Sequence, residues 1–256
     1  MFARKDVMMK VIYHERYKQV YDNDPAAASG RMEAIVREIK GFDIIQPVSA
    51  AEEDIRLCHT GYHISNISRD SVVYEMALLS AGGAMEAALQ ACGGEPSFAL
   101  IRPPGHHASA DSCWGFCFFN NIAIAISRLI REKKIVSALV LDFDLHYGDG
   151  TSNIFRDNKN VMYFHPEDSH RDEFTNHVAD FLSENKADII AVSAGFDRHV
   201  EDWGMLLTTE DYRLIGREVK KYSLSNCNGR RFGVLEGGYN HAVLGKNVRA
   251  FLDGMD

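Results

Sequence analysis

From residue 98 onward, short apolar runs rich in β-branched residues alternate with longer stretches of helical character. The runs 98–101, 136–142, 161–164, 188–193 and 232–235 predict buried strands, and 120–133, 171–185, 208–224 and 241–252 predict helices. Thr208-Thr209-Glu210-Asp211 sets a hydroxyl before two acids and reads as a helix N-cap. Strand and helix in regular alternation predict an α/β fold, a mainly parallel sheet flanked by helices on both faces. No repeat, low-complexity tract or Pro/Ser-rich linker breaks the pattern, which predicts a single domain over 1–256.

Open sheets of this kind bind ligands at the carboxyl ends of their strands, and the unusual residues of the chain fall there. Arg102-Pro-Pro-Gly-His-His107, Asp142-Phe-Asp-Leu-His146, Ser193-Ala-Gly-Phe-Asp197 and Leu235-Glu-Gly-Gly-Tyr239 each follow or end an expected strand. Asp142, Asp144 and His146 are spaced by two, so on extended backbone they share a face. Asp144 and His146 offer an oxygen and a nitrogen ligand, and Asp197 from a neighbouring strand end offers a third. Three protein ligands leave a position open, as in catalytic rather than structural zinc sites.

His106 and His107 follow a Pro-Pro-Gly turn, and either imidazole could carry a proton near neutral pH as general acid or base. Each needs a partner to set its tautomer, and Asp142 and Asp149 are close in sequence to the metal-like motif. Tyr239 follows Gly237-Gly238, a flexible approach that lets a phenol reach over a site and donate to a developing oxyanion. Taken singly, a strand-end Asp, a His pair or a Tyr is more commonly structural. Their coincidence at four equivalent strand ends is what points to one site.

Other candidates are weaker. Cys113 and Cys117 flank Trp114-Gly115-Phe116, but no second pair at finger spacing completes a structural zinc site. His165, His170, His177 and His199 read as surface or supporting residues, and Arg128, Arg131, Lys133 and Lys134 as a solvated helix end. Gly82-Gly83 and Gly93-Gly94 lack the strand-loop-helix context of a phosphate cradle.

Composition narrows the classes. The chain has 28 Lys+Arg against 36 Asp+Glu, a formal charge of −8, which argues against a surface built for nucleic-acid phosphates. Five cysteines make no disulfide framework and suit a reducing compartment. Residues 1–8 hold no apolar run of signal-peptide length, and 122–126 and 135–141, the best apolar stretches, are too short to span a bilayer. The expectation is a cytoplasmic protein without membrane partners.

Arg102-Pro-Pro-Gly-His-His-Ala108, Gly115-Phe-Cys-Phe-Phe-Asn-Asn121, Asp142-Phe-Asp-Leu-His-Tyr-Gly-Asp-Gly-Thr151, Ser193-Ala-Gly-Phe-Asp197 and Glu236-Gly-Gly-Tyr239 closely resemble, in order, the motifs of the zinc-dependent histone deacetylase family. That family includes bacterial deacetylase-like amidohydrolases and acetylpolyamine amidohydrolases, and the likeness runs from about Val11 to the C-terminus. The resemblance implies an arginase-like α/β fold and one Zn²⁺ per chain held by Asp144, His146 and Asp197. It implies acid/base roles for His106 and His107, oriented by Asp142 and Asp149, and a carbonyl hydrogen bond from Tyr239. Gly115 and Phe116 would line the acyl-binding cleft, with Gly237 and Gly238 also at the substrate. It further implies a monovalent cation such as K⁺ beside the zinc, held by Asp142, Asp144 and His146 with residues of the next strand. Arginases share the fold but need further carboxylates for a second metal, whereas 193–197 offers one Asp.

The chain departs from the family in three places. Met162-Tyr163-Phe164-His165 replaces the segment that carries the family's Ser at the monovalent-cation site. Asp24-Pro-Ala-Ala-Ala-Ser-Gly-Arg31 replaces an early His-Pro-Glu-like motif, leaving Arg31 as the match. Only 31 residues, 166–196, lie between His165 and Asp197, where relatives place a longer tunnel-forming loop. A more open cleft, or one completed by another subunit of a homo-oligomer, is the expected consequence. The leading functional expectation is a zinc-dependent deacylase for N-acetylated amines of the acetyl-lysine type. The alternatives are an amidohydrolase for acetylpolyamines or other small acylated metabolites, and a catalytically weak protein that binds an acylated ligand. Retention of His106, His107 and Tyr239 beside all three metal ligands favours an enzyme, and the −8 charge suits cationic amines.

Overall fold

The computed structural model describes residues 9–256, so the reading of the first eight lies outside it. Seven strands form one parallel sheet: β1 (Lys10–Ile12), β2 (Asp43–Ile45), β3 (Ser97–Ala99), β4 (Ala138–Asp142), β5 (Val161–Phe164), β6 (Ile189–Ala194) and β7 (Arg231–Leu235), in the order β2-β1-β3-β7-β6-β4-β5. Every residue of β3, β4, β6 and β7 is buried, as a sheet covered on both faces requires, while the edge strand β2 is largely exposed.

The helices are α1 (Arg31–Glu38), α2 (Glu52–Ile55), α3 (Gly61–Ile67), α4 (Ser71–Cys92), α5 (Asn121–Arg131), α6 (Asp149–Phe155), α7 (Arg171–Glu184), α8 (Thr209–Asn226) and α9 (Leu244–Met255). Alternation along β3 shows how they cover the sheet. Ser97 Oγ donates to the Ala87 carbonyl of α4 at 2.5 Å, while Phe98, facing the other way, meets Phe251 of α9 with ring centroids 6.0 Å apart. The predicted N-cap at Thr208 is present, and Asp211 accepts from both the Thr208 amide and its hydroxyl at 2.7 Å.

The two N-terminal strands, of three residues each, lie before the alternation read from residue 98. Two expectations are corrected. The last helix starts at Leu244, because 241–243 form a turn after Asn240 accepts from the Ala242 amide. The apolar stretches thought longest are surpassed by α4, long and apolar enough to cross a membrane by length and composition alone. Most of α4's apolar window is buried in the fold, packed against α5 and the central strands. Such a helix carries no amphipathic stripe, and Gly82-Gly83 in its middle lowers its helix propensity, so neither signal marked it.

Arg128 and Arg131, expected on a solvated helix end, instead converge on the buried carboxylate of Asp54. All five cysteines are unpaired.

Candidate active site

β3, β7, β6 and β4 are neighbours in the sheet, so the four polar clusters at their carboxyl ends stand in a row. Asp142, the last residue of β4, is fully buried and receives three donors. His106 Nδ1–H donates to its Oδ2 at 3.0 Å, the Tyr163 hydroxyl donates to the same oxygen at 2.9 Å, and the Asp144 amide donates to Oδ1 at 3.1 Å. His107 Nδ1–H donates to Asp149 Oδ1 at 2.7 Å, the first residue of α6. Both expected His–Asp pairs are therefore formed, and each fixes the tautomer that leaves Nε2 free for chemistry.

Asp144, His146 and Asp197 bring one ligand atom each to within 4.8 Å of one another. His146 Nδ1 lies 3.3 Å from Asp144 Oδ1 and 3.4 Å from Asp197 Oδ2. Asp144 accepts from the His146 amide at 2.9 Å and from the Gly237 amide at 2.8 Å, and Asp197 Oδ1 accepts from the Leu145 amide at 2.9 Å. Asp197 Oδ2 is buried without a hydrogen-bond partner. An orphaned buried carboxylate oxygen facing a second carboxylate and an imidazole fits a divalent cation with mixed oxygen and nitrogen ligands.

Charge follows the same logic. Burial and the neighbouring Asp144 push Asp197 up to about 6, and the two carboxylates raise His146 to about 10. Burial opposes ionisation of His106, but Asp142 and Asp144 outweigh it and hold the imidazole well above its ordinary value. Burial and the charge of His106 depress His107 to about 4 against the pull of Asp149. The proton affinities of the two adjacent rings, with centroids 4.1 Å apart, are thus pushed in opposite directions.

A small cleft of about 100 Å³ opens over these groups. Its lining includes His106, His107, Gly115, Phe116, His146, Gly237 and Tyr239, so nearly all expected substrate-side residues meet in one place. Gly115 has φ +59°, and a Cβ there would lie 2.4 Å from the His107 ring. Phe116, also at positive φ (66°), sets its ring edge-on to Tyr239. Gly237 approaches Asp144 so closely that a Cβ would sit 2.5 Å from its Oδ2. Gly238 is a correction: it is absent from the cleft lining, its free face meets Leu244 and Phe196, and its carbonyl accepts from Arg31 Nε at 2.8 Å.

A histone deacetylase domain model matches residues 24–172 and 165–255. The chain belongs to the histone deacetylase family. A probable deacetylase of Methanothermobacter thermautotrophicus is 32% identical, over 97% of this chain and 91% of that protein. A probable deacetylase of Archaeoglobus fulgidus is 27% identical over 90% and 81%, and a histone deacetylase-like amidohydrolase of Pseudomonas aeruginosa is 27% identical over 76% and 66%. The crystal structure of the HDA15 HD domain superposes with a TM-score of 0.82 at 23% identity, covering 96% of this chain and 88% of that one. The arginase/deacetylase-like fold and hydrolase activity on acylated substrates follow from this membership; the family generally works with zinc, and Asp144, His146 and Asp197 could hold such an ion.

Within this histone deacetylase-family site, several residues escaped the motif reading. Both tryptophans of the chain line the cleft: Trp114 stacks on His107 and donates to Asp149, and Trp203 stacks on Tyr239 with ring centroids 4.0 Å apart. The region that lacks the long loop forms α7 directly, and the wall over Tyr239 comes instead from Trp203, after β6. Glu236, buried, accepts from the Gly105 amide at 2.7 Å and the His106 amide at 3.2 Å, fixing the His pair's backbone. Asp202 accepts from the amides of Tyr239 and Asn240 at 2.8 Å each. His199 accepts from the Glu201 amide at 3.1 Å and shapes this same loop rather than entering the cleft.

Proposed function

We propose that this family member hydrolyses the amide bond of N-acetylated amines of the acetyl-lysine type, releasing acetate and the free amine, with one Zn²⁺ per chain. Asp144, His146 and Asp197 would hold the ion, which when bound polarises the amide carbonyl and acidifies water. The observation that carries the reading is Asp197 Oδ2, buried without a hydrogen-bond partner 3.4 Å from Nδ1 of His146, which lines the cleft that holds the His pair.

The chain's own groups supply the remaining chemistry. His107, neutral and oriented by Asp149, takes a proton from the attacking water. His106, whose protonation Asp142 and Asp144 favour, stands beside His107 and stabilises the negative charge that develops there. Tyr239 is held between Trp203 and Phe116, and its hydroxyl donates to the carbonyl oxygen as that oxygen gains charge. His107 then delivers that proton to the nitrogen as the C–N bond breaks, so that the amine departs and the acyl group leaves as carboxylate. Unpaired cysteines support a reducing, cytoplasmic setting.

The test is a panel of acetyl-lysine peptides, longer acyl-lysines, acetylpolyamines and small acetylated amines, run on zinc-loaded and chelator-treated protein. Chelator-sensitive turnover of acetyl-lysine peptides is expected. Turnover confined to acetylpolyamines would replace the substrate class, and inactivity of zinc-loaded protein across the panel would favour an acyl-ligand-binding role.

A further inference from the structure

Arg198 directly follows Asp197 and is only 6% exposed. Its Nε donates to the Asp144 carbonyl at 3.0 Å. Its Nη2 donates to the Pro166 carbonyl at 2.9 Å, His165 Nε2 at 3.1 Å and the Leu145 carbonyl at 3.4 Å. The guanidinium face lies 4.8 Å from the Phe174 ring centroid. Three main-chain carbonyls and one ring nitrogen thus converge on one buried positive charge. Two of the carbonyls belong to the loop that carries Asp144 and His146, and the third to the segment after β5.

Carbonyl oxygens gathered away from water are the ligand set that replaces the hydration shell of an alkali cation. Of the residues expected to hold that cation, Asp144 gives its carbonyl to Arg198, and the adjoining Leu145 and Pro166 carbonyls meet the same guanidinium. The hydroxyl role is also covered internally, since Tyr163 bridges Asp142 Oδ2 and the Gly148 amide at 2.9 Å each. A guanidinium keeps its charge at any working pH, and here the Nε–H and the two N–H bonds of Nη2 are shared among the four acceptors.

We propose that Arg198 is a built-in monovalent cation, a positioning residue whose guanidinium holds the 144–146 loop in place of a dissociable K⁺, so that the enzyme is indifferent to alkali cations. The activity arm of the test rests on the deacylase reading above; the stability arm does not. Wild-type protein is exchanged into tetramethylammonium chloride and titrated with KCl at constant ionic strength, following kcat on an acetyl-lysine peptide, zinc content and Tm. All three are expected to stay flat. Arg198→Ala in tetramethylammonium is expected to lose up to about a hundredfold in kcat, the scale of a displaced catalytic loop, and to recover with KCl in a saturable way. Its Tm should rise with KCl in parallel, as for any ligand that binds the native state. Arg198→Lys, which keeps a cation, should work without K⁺, and it decides the matter if the alanine variant does not fold.

A wild-type kcat or Tm that climbs with K⁺ but not with tetramethylammonium would overturn the proposal. So would an Arg198→Ala protein with wild-type kcat, zinc content and Tm in tetramethylammonium. If wild-type protein turns over no acylated amine in any salt, the deacylase reading fails, while the Tm titrations still decide the role of Arg198.

Discussion

Trp203 lies flat against Tyr239, with ring planes inclined by 25°, although the two residues are far apart in sequence and sit on loops after different strands. Asp202, next to Trp203, accepts from the Tyr239 amide, so one short loop fixes both the backbone and the ring of the phenol. Because Trp203 is about half exposed, its loss should cost little stability while loosening the phenol. Trp203→Ala is expected to lower kcat/KM by about two- to tenfold, the worth of one aromatic pair, with Tm nearly unchanged, and Trp203→Phe to recover most of it. Steady-state kinetics beside a thermal melt separates this from a folding defect.

Tyr239→Phe removes the donor but keeps the stack. A drop in kcat of about 10²–10³ is expected with zinc content intact, the scale of one oxyanion donor. Unchanged turnover would show that the phenol does not touch the carbonyl oxygen.

Asp197→Ala and His146→Ala each delete one of three ligand atoms that lie within 4.8 Å of one another. Zinc measured by elemental analysis should fall from one per chain toward zero, and activity with it. Activity that survives in metal-free variants would end the proposed chemistry.

His59 gives a pH prediction away from the metal loop. Its Nδ1–H donates to the Ser109 carbonyl and its Nε2 accepts from the Asn120 amide, both at 2.9 Å, so the neutral ring is fully satisfied and a second ring proton would face an N–H. Burial, with His63 beside it, lowers the imidazole to about 4. Below about pH 6.5 the unfolded chain binds a proton that the folded one does not, so this group's contribution is complete above 6.5 and declines as pH falls toward 4, by about 3 kcal/mol in all. Denaturant melts from pH 7 to 4.5 should show the gap between wild type and His59→Gln shrinking on acidification. A constant gap would mean that His59 titrates normally.

The sequence made the ligands readable because they cluster locally: Asp142, Asp144 and His146 alternate on one strand end, and His106 and His107 are adjacent. Their Asp partners were readable for the same reason, since Asp142 and Asp149 lie in or just beyond that motif. What escaped were the contacts between distant segments that no motif marks. Arg198 was hidden by its neighbour's clearer signal, and nothing in its spacing shows that it reaches Pro166. Trp203 and Glu236 act through contacts with loops more than thirty positions away, which periodicity cannot report. In the fold, the strand alternation and most helices were legible from residue 98 onward, α6 excepted, whereas α4 escaped because its mostly buried, evenly apolar sequence carries no amphipathic stripe.

The sheet order carries a consequence for assembly. β7, the last strand made, is the central one, flanked by β3 and β6. Until it inserts, β2-β1-β3 and β6-β4-β5 are two separate ribbons, with the histidine pair attached to one and the carboxylates attached to the other. Folding of this chain should then behave as a single late closure, in which the sheet becomes continuous and the reactive groups meet in the same event. A nascent chain lacking its final strand would hold every one of the metal-binding side chains and still have no catalytic centre.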